Sequence, residues 1–175
     1  NHDIQDRGTT SGYSTDPIRK DTLAANAFMM AMPGTPCVFL PHWKAYKADI
    51  KSMINARKIA GFSNTSTYFN MRSSASLYAV NTQGSKAHLV AAVGNGVNDY
   101  APNNSYVKIL SGYHYAYYLN KEAETAWVAK PSGTYTDAFS VTLQAVSNDG
   151  AAQLVYTTDG SNPTADSPIY DGTPI

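Results

Sequence analysis

Charged residues are scarce in this chain, and cysteine is almost absent. Only 15% of the 175 residues are charged, and the 13 basic residues balance the 13 acidic ones. A chain without net charge has no long-range field that would attract nucleic acid, so we expect no nucleic-acid partner. The single cysteine, Cys37, excludes an internal disulfide framework. Because Cys37 lies in the apolar run 37–40, we expect a buried and unreactive thiol.

Long apolar runs are missing as well. No stretch reaches the roughly 18 apolar residues that a membrane-spanning helix needs, so we expect no membrane span. The chain begins with Asn1 and shows neither an initiating methionine nor a signal peptide. We therefore expect Asn1 to lie inside a longer protein. What is present is a hydrophobic content of 43%, which is typical of a globular protein with a packed core.

Two helices are predicted in the first sixty residues. Asp16-Pro17 is a favourable helix start, and Pro33-Gly34 is a helix stop, so the first helix should cover about residues 16–32. The second helix should begin near Trp43, and Gly61 is placed to end it with a left-handed backbone.

A buried strand is predicted between these helices. The run 37–40 is continuously apolar, which favours a strand buried on both faces of a parallel sheet. One strand cannot form a sheet, so its neighbours are expected upstream of Asn1. His42 and Trp43 follow this strand. They either face a cleft at its carboxyl end or anchor the entry of the second helix, and the sequence leaves both interpretations open.

From residue 65 the hydrophobic period changes from helical to extended. Short strands separated by turn residues, with no helix between them, predict an antiparallel sandwich or open barrel over residues 65–130. One of these turns is Gly94-Asn95-Gly96, which precedes no predicted helix and is therefore not a phosphate-binding loop. The predicted strands cover residues 67–71, 76–82, 87–93, 106–110 and 114–119.

A third unit is predicted over residues 131–175. Pro131-Ser132-Gly133 is typical of a linker or turn, and apolar residues then alternate with polar ones over 139–145, as in a half-buried strand. The polar cluster 158–163 predicts tight turns. Asp159 lies in that cluster, and an Asx turn explains it because the ligand pattern of an EF-hand is absent.

Six residues, Tyr113-His114-Tyr115-Ala116-Tyr117-Tyr118, form a conspicuous aromatic cluster. Such rings could stack on starch, but alternating tyrosines in a strand usually pack against neighbouring side chains, and we favour packing. His88 also lies in a predicted strand. It has no histidine or cysteine at metal-ligand spacing, so no metal site is expected there.

The beginning of the chain resembles an enzyme family. Asn1-His2-Asp3, ahead of a polar loop and a helix, resembles the fourth signature region of the glycoside hydrolase family 13 α-amylases. Residues 31–39 are similar to the amylase segment that leads from the seventh helix into the eighth barrel strand. This resemblance implies an α/β plus all-β chain: residues 1–64 end a (β/α)8 TIM barrel, and residues 65–130 form the antiparallel β-sandwich domain that follows it.

The end of the chain resembles a different domain. Pro131-Ser132-Gly133-Thr134-Tyr135 and the block 155–164 are similar to the small β-sandwich at the C-terminus of chitobiase and β-hexosaminidase-type enzymes. The resemblance implies that residues 131–175 form part of a small Ig-like β module.

The amylase resemblance assigns roles to the first three residues. It implies retaining hydrolysis of α-1,4-glucosidic bonds, with the nucleophile and the general acid upstream of this chain. Asp3 would stabilise the transition state, and His2 and Asn1 would bind substrate, with Asn1 also supporting the loop. Without the resemblance, the same triplet is an ordinary polar loop. Asp6 and Arg7 could line the same cleft or form a local salt bridge.

Further implications concern partners and location. The resemblance implies an α-glucan substrate such as starch or maltooligosaccharides, an upstream part of the same barrel, and a secreted, cell-surface or periplasmic bacterial enzyme. It implies Ca2+ in the complete enzyme, with ligands outside this chain, which alone should be inactive. The alternative is a non-catalytic carbohydrate-binding or scaffolding β module of a secreted glycosidase.

Overall fold

The computed structural model describes residues 20–130 and 134–175. Its three helices are α1 (Thr22–Ala31), α2 (Leu40–Ala45) and α3 (Lys47–Ala60). Its seven strands are β1 (Thr67–Ser73), β2 (Tyr78–Gln83), β3 (His88–Val93), β4 (Tyr106–Gly112), β5 (Tyr115–Asn120), β6 (Thr125–Val128) and β7 (Leu143–Val146).

The first five strands form one antiparallel sheet with the order β1-β2-β3-β5-β4. All five strands predicted between residues 65 and 130 are present, with ends that differ by a few residues. The chain is thus mostly antiparallel sheet with a few helices, which is consistent with the β-sandwich part of the prediction.

The central strands of this sheet are covered on both faces, and β5 is the clearest example. Tyr115, Tyr117 and Leu119 join the core formed with the helices. The intervening Ala116 and Tyr118 join a smaller core on the opposite face. Since side chains alternate along a strand, a strand buried on both faces has apolar or aromatic residues at most of its positions. The aromatic cluster therefore serves packing, as favoured from the sequence.

The opposite face is covered by the connection between β3 and β4. Val97 in this connection is buried, and the Tyr100 ring meets the Tyr118 ring edge-on, with 6.1 Å between the centroids. The Tyr118 hydroxyl also donates a hydrogen bond to the Tyr100 carbonyl oxygen at 2.6 Å. A polar link thus joins the buried Tyr118 to the partly buried Tyr100.

Helix α1 lies against the sheet through an apolar face. Ala27 and Met30 are fully buried, and the Tyr117 hydroxyl donates a hydrogen bond to the Ala27 carbonyl oxygen. The predicted start at Asp16-Pro17 lies outside the described residues. The predicted end is confirmed, since α1 stops at Ala31, just before Pro33-Gly34.

Helix α3 ends at Gly61, as predicted. The Gly61 φ is 71°, in the left-handed region that favours glycine. Its N–H donates to the Lys58 carbonyl, and the Phe62 N–H donates to the Arg57 carbonyl, the two bonds of a Schellman cap. The Arg57 guanidinium also lies 5.6 Å from the centroid of the Phe62 ring.

The end of α3 docks directly on the β2–β3 turn. The Ala60 carbonyl oxygen accepts hydrogen bonds from the N–H groups of Lys86 and Ala87, each at 3.2 Å. Gly84 lies against the same carbonyl, and a Cβ added at Gly84 would be 1.8 Å from the Ala60 oxygen. The helix and the hairpin can meet this closely only because residue 84 has no side chain.

The side chain of Arg57 fixes the chain beyond α1. Its Nη1 donates to the carbonyl oxygens of Met30 at 2.9 Å and Met32 at 2.6 Å, and its Nη2 donates to that of Gly34 at 2.6 Å. The last carbonyls of a helix lack partners within the helix, so this guanidinium caps α1 from the neighbouring helix.

The strand predicted at residues 37–40 is wrong. Residues 35–39 belong to no helix or strand, and α2 begins at Leu40. The backbone at Phe39 is extended, with φ −68° and ψ 128°, but the described residues contain no neighbouring strand that pairs with it. An apolar run becomes a strand only where a ladder satisfies its backbone. The Cys37 thiol, predicted to be buried, is exposed for the same reason.

No part of a TIM barrel is seen in the described residues. All strand pairs among them are antiparallel, whereas the barrel predicted for residues 1–64 requires parallel pairing. The helices of this segment instead share a core with the antiparallel sheet.

A second sheet joins the middle and the end of the chain. Strand β6 was not predicted, and it pairs antiparallel with β7, which lies partly within the predicted strand 139–145. The Trp127 indole N–H donates to Gln144 Oε1 across this pair at 2.8 Å. The division of the chain into domains over 1–64, 65–130 and 131–175 stays a prediction.

The predicted turn at Asp159 is confirmed as an Asx turn. Its Oδ1 accepts hydrogen bonds from the Ser161 N–H at 2.9 Å and the Ser161 hydroxyl at 2.6 Å. These bonds hold the pKa of Asp159 below its ordinary value. The carboxylate is thus engaged in local structure.

The buried tyrosines make stability depend on alkaline pH. Burial, with a smaller contribution from Asp49, raises the pKa of Tyr115 to about 12, and burial raises that of Tyr117 well above its ordinary value. An unfolded tyrosine has a pKa of about 10. Above that pH the unfolded chain releases protons that the folded chain retains, so the stability present below pH about 10 is lost as the pH rises.

We expect the free energy of unfolding in urea to fall by about 1 kcal/mol per buried tyrosine between pH 9 and 11. The double variant Tyr115→Phe/Tyr117→Phe should lose much of this dependence because it lacks both phenols. An identical decrease in the double variant would assign the effect to other groups.

Candidate binding site at the β4–β5 turn

The site predicted from the amylase resemblance lies outside the described residues. This applies to Asn1, His2 and Asp3, and to the nearby Asp6 and Arg7. Their assignment to substrate binding and catalysis stays a prediction.

His42 and Trp43 are described, and their contacts match the helix-anchor interpretation. His42 Nδ1 lies 3.2 Å from the side-chain nitrogen of the buried Asn26, and burial lowers the pKa of His42. Trp43 packs against the main core, with Lys47 Nζ 5.8 Å from its ring centroid. These contacts hold α2 against α1.

Tyr113 is the exception within the aromatic cluster. Three of its tyrosines are buried in the sheet, whereas Tyr113 is 57% exposed. Tyr113 and His114 form the two-residue connection between β4 and β5, where Gly112 pairs with Tyr115. Because a turn residue lies outside the ladder, the packing argument that holds for the strand does not apply to Tyr113.

The Tyr113 ring rests on His114. The two rings are stacked, with centroids 3.9 Å apart and an interplanar angle of 23°. His114 has a φ of 59°, which is rare for a residue with a side chain. Its Nδ1 lies 2.5 Å from Oδ1 of Asp21, the residue that precedes α1. The stacked pair is thereby fixed to the first helix.

A groove of about 370 Å3 opens beside this pair, and we call it the turn groove. It lies where the β1–β2 connection, the end of β3 and the β4–β5 turn come together. Its lining combines hydroxyl, amide and carboxylate groups with apolar side chains. It is lined by Asp21, Ser74, Ala75, Ser76, Leu77, Tyr78, Val93, Gly94, Asn95 and His114.

The turn groove is suited to binding and not to glycoside hydrolysis. Among the lining residues that the structure describes, Asp21 is the one carboxylate, whereas glycosidases that act through protein carboxylates use a pair. A metal is not supported here either, since within residues 20–130 and 134–175 no three His, Cys, Asp or Glu side chains converge as ligands. An exposed ring beside polar groups is a surface that can bind a small amphipathic molecule.

Sequence reasoning weighed the aromatic cluster as one unit and therefore missed this site. The sequence does indicate that Tyr113 lies in a turn, because Gly112 directly precedes it and glycine is common where a strand enters a turn. The partnership of His114 with Asp21 joins residues 93 positions apart, and no local pattern predicts it.

None of the helices in the described part of the chain is both long enough and apolar enough to cross a membrane. Comparison with curated proteins gives no match.

Comparison with family models identifies one part of the chain. Residues 130–175 match the model described as "Chitobiase/beta-hexosaminidase C-terminal domain". The matched segment begins within one residue of the predicted boundary at Pro131, and the predicted resemblance of this segment is confirmed. It covers about a quarter of the chain and excludes the turn groove. The end of this chain is therefore similar to a C-terminal β domain of glycoside hydrolases.

Proposed function

We propose that this chain is part of a secreted α-amylase-type glycoside hydrolase that cleaves α-1,4-glucosidic bonds of starch-like glucans with retention of configuration. The observation that carries the glycosidase assignment is the match of residues 130–175 to a glycosidase C-terminal domain. The amylase type is proposed from the resemblance of Asn1-His2-Asp3 to a family signature region. The proposal includes a secreted, cell-surface or periplasmic location in a bacterium.

In the proposed mechanism, two carboxylates upstream of Asn1 perform the bond changes. One attacks the anomeric carbon, and the other protonates the leaving glycosidic oxygen. Asp3 remains ionised and binds the 2- and 3-hydroxyl groups of the sugar. Its negative charge lies near the anomeric carbon as positive charge develops there, which lowers the energy of the transition state.

His2 and Asn1 act on the same sugar. A His2 ring N–H donates a hydrogen bond to a hydroxyl in the subsite where the bond breaks, and Asn1 supports the loop. Calcium, implied for the complete enzyme, has no converging ligand set in residues 20–130 or 134–175. No step of the mechanism assigned to this chain depends on it.

Asp3→Asn tests the catalytic role in the complete enzyme. The amide keeps the shape of the carboxylate but loses its charge, so kcat on starch should fall at least about a hundredfold with an unchanged thermal melt. Asp6→Asn is the matched control because it removes the same charge in the same loop. It should retain most of the activity.

Near-normal activity of Asp3→Asn would remove the proposed role of this carboxylate. An equal loss in Asp6→Asn would show that general loop charge, and not the position of Asp3, determines the rate.

The second candidate function is a non-catalytic one. The observation that favours a carbohydrate-binding or scaffolding module is the family match, which is to a C-terminal β domain. The two functions differ in what the reading frame must contain. A barrel with two catalytic carboxylates encoded upstream favours the enzyme, and another kind of upstream sequence favours the module.

A further inference from the structure

We propose that the turn groove and the exposed Tyr113 ring beside it together form a carbohydrate-binding site, in which Tyr113 stacks on a sugar ring of a neutral glucan. Tyr113 adjoins the groove through His114, the lining residue on which its ring is stacked. The choice of an α-linked glucan rests on the proposed function, whereas the site itself rests on the geometry of the groove. Nothing in the amylase or hexosaminidase resemblance assigns a role to these residues.

Tyr113 offers a flat and exposed surface for stacking. One face of its ring lies against His114, and the side chain is still 57% exposed, so the opposite face meets solvent. Pyranose rings present patches of C–H groups that pack on aromatic faces, and tyrosine supplies such a face at a low cost in conformational entropy. An exposed tyrosine held in one orientation is suited to this contact.

The stacked pair of Tyr113 and His114 is held in place without a ligand. His114 Nδ1 is held by Asp21, and the His114 carbonyl oxygen accepts a hydrogen bond from the Gly94 N–H at 2.9 Å. The turn is thus tied to α1 on one side and to the end of β3 on the other. Preorganisation of this kind reduces the entropy that binding must offset.

The turn groove, beside the stacked pair, carries the uncharged polar groups that bind a neutral sugar. Ser76 and Asn95 are exposed on its rim, and their hydroxyl and amide groups can donate to and accept from sugar hydroxyls. Asp21 adds a carboxylate oxygen that accepts from hydroxyl groups. A volume of about 370 Å3 lies within the usual range for small-molecule sites and accommodates one or two sugar units.

Other exposed aromatic residues lack this combination. Tyr68 is 52% exposed, but it lies on the edge strand β1, whereas Tyr113 stacks directly on His114, which lines the turn groove. Tyr135 and Phe139 form a pair whose rings are approached by Lys130, with Nζ 4.3 Å and 3.2 Å from their centroids. The ammonium group of Lys130 thus lies over these rings, where a sugar would have to stack.

The test is a calorimetric titration of the 175-residue chain with maltoheptaose. Tyr113→Ala should weaken binding at least about tenfold, because it removes the stacking face. Tyr113→Phe should retain most of the affinity, because it keeps that face. Tyr68→Ala is the matched control: it removes a similarly exposed tyrosine on the edge strand β1 and should leave binding unchanged. Thermal melts of all variants establish that they are folded.

Equal weakening by Tyr68→Ala, or binding that is unaffected by Tyr113→Ala, would overturn the site. So would the absence of binding to maltoheptaose, cellohexaose and chitohexaose. Tyr113-dependent binding of chitohexaose but not maltoheptaose would keep the site and overturn the α-glucan assignment. The hydrolysis assay with Asp3→Asn is independent of these titrations, so failure of the groove and failure of the proposed enzyme are distinguishable.

Discussion

Gly84→Ala should destabilise the chain by about 3–5 kcal/mol, one of the two largest effects that we expect from a single substitution. The new methyl group would lie 1.8 Å from the Ala60 carbonyl oxygen and 2.9 Å from Cδ1 of Phe62. The carbonyl belongs to the backbone at the end of α3, so it cannot move aside as a flexible side chain would. Relief of the clash requires α3 and the β2–β3 turn to separate.

That separation has a second cost. The Ala60 carbonyl would lose the hydrogen bonds from Lys86 and Ala87, which join α3 to the sheet. Urea unfolding followed by circular dichroism measures the change. Gly150→Ala is the matched control because no atom lies within 4 Å of its added Cβ, and it should change stability by less than about 1 kcal/mol. A similarly small effect of Gly84→Ala would contradict the close approach of helix and turn.

Arg57→Ala should destabilise the chain by about 3 kcal/mol. The guanidinium donates to three carbonyl oxygens at the end of α1, and its loss would leave them without these partners. Hydrogen bonds from a charged donor are stronger than neutral ones, and burial here lowers the pKa of Arg57, which reflects partial removal from water. The substitution also removes the contact with Phe62.

The same unfolding measurement, combined with hydrogen exchange, locates the effect of Arg57→Ala. Amide exchange should accelerate at Gly34, whose N–H donates to the Ser63 carbonyl oxygen. Lys58→Ala is the control, since Lys58 is an exposed cation in the same turn of α3 and should cost little. Comparable losses in the two variants would show that helix-end charge, and not the three specific bonds, provides the stability.

Local patterns predicted most of the first sheet. Alternating or continuous apolar residues in β2, β3 and β5 identified these strands, and turn residues placed their ends. Gly61 was predicted as a helix cap because a left-handed backbone is a property of one position and its immediate neighbours. Such features need no knowledge of what lies across the fold.

The failures concern interactions between distant parts of the chain. Residues 37–40 have the composition of a buried strand, but strand formation depends on a partner, and the described residues provide none. Strand β6 is only four residues long, and its pairing with β7 follows from contacts such as Trp127 with Gln144. The cap from Arg57 to α1 likewise spans at least 23 positions.

One candidate site was predicted from a local sequence pattern, and the other depends on contacts between distant segments. Asn1-His2-Asp3 was singled out through resemblance to a signature, and it lies outside the described residues. The turn groove could not be predicted, because Asp21, Ser76 and Asn95 come from separate segments that only the fold brings together. Tyr113 was visible in the sequence, but its exposure depends on its place in the turn.

The pairing of β6 with β7 has a consequence for the exchange of modules between genes. The family match begins at Lys130, yet β6 ends at Val128 and bonds with β7 inside the matched segment. A recombination event at the family boundary would separate Trp127 from Gln144 and leave the edge of β6 unpaired. Inheritance of this terminal module as a self-contained unit therefore requires a crossover upstream of Thr125, or a recipient that supplies a replacement strand.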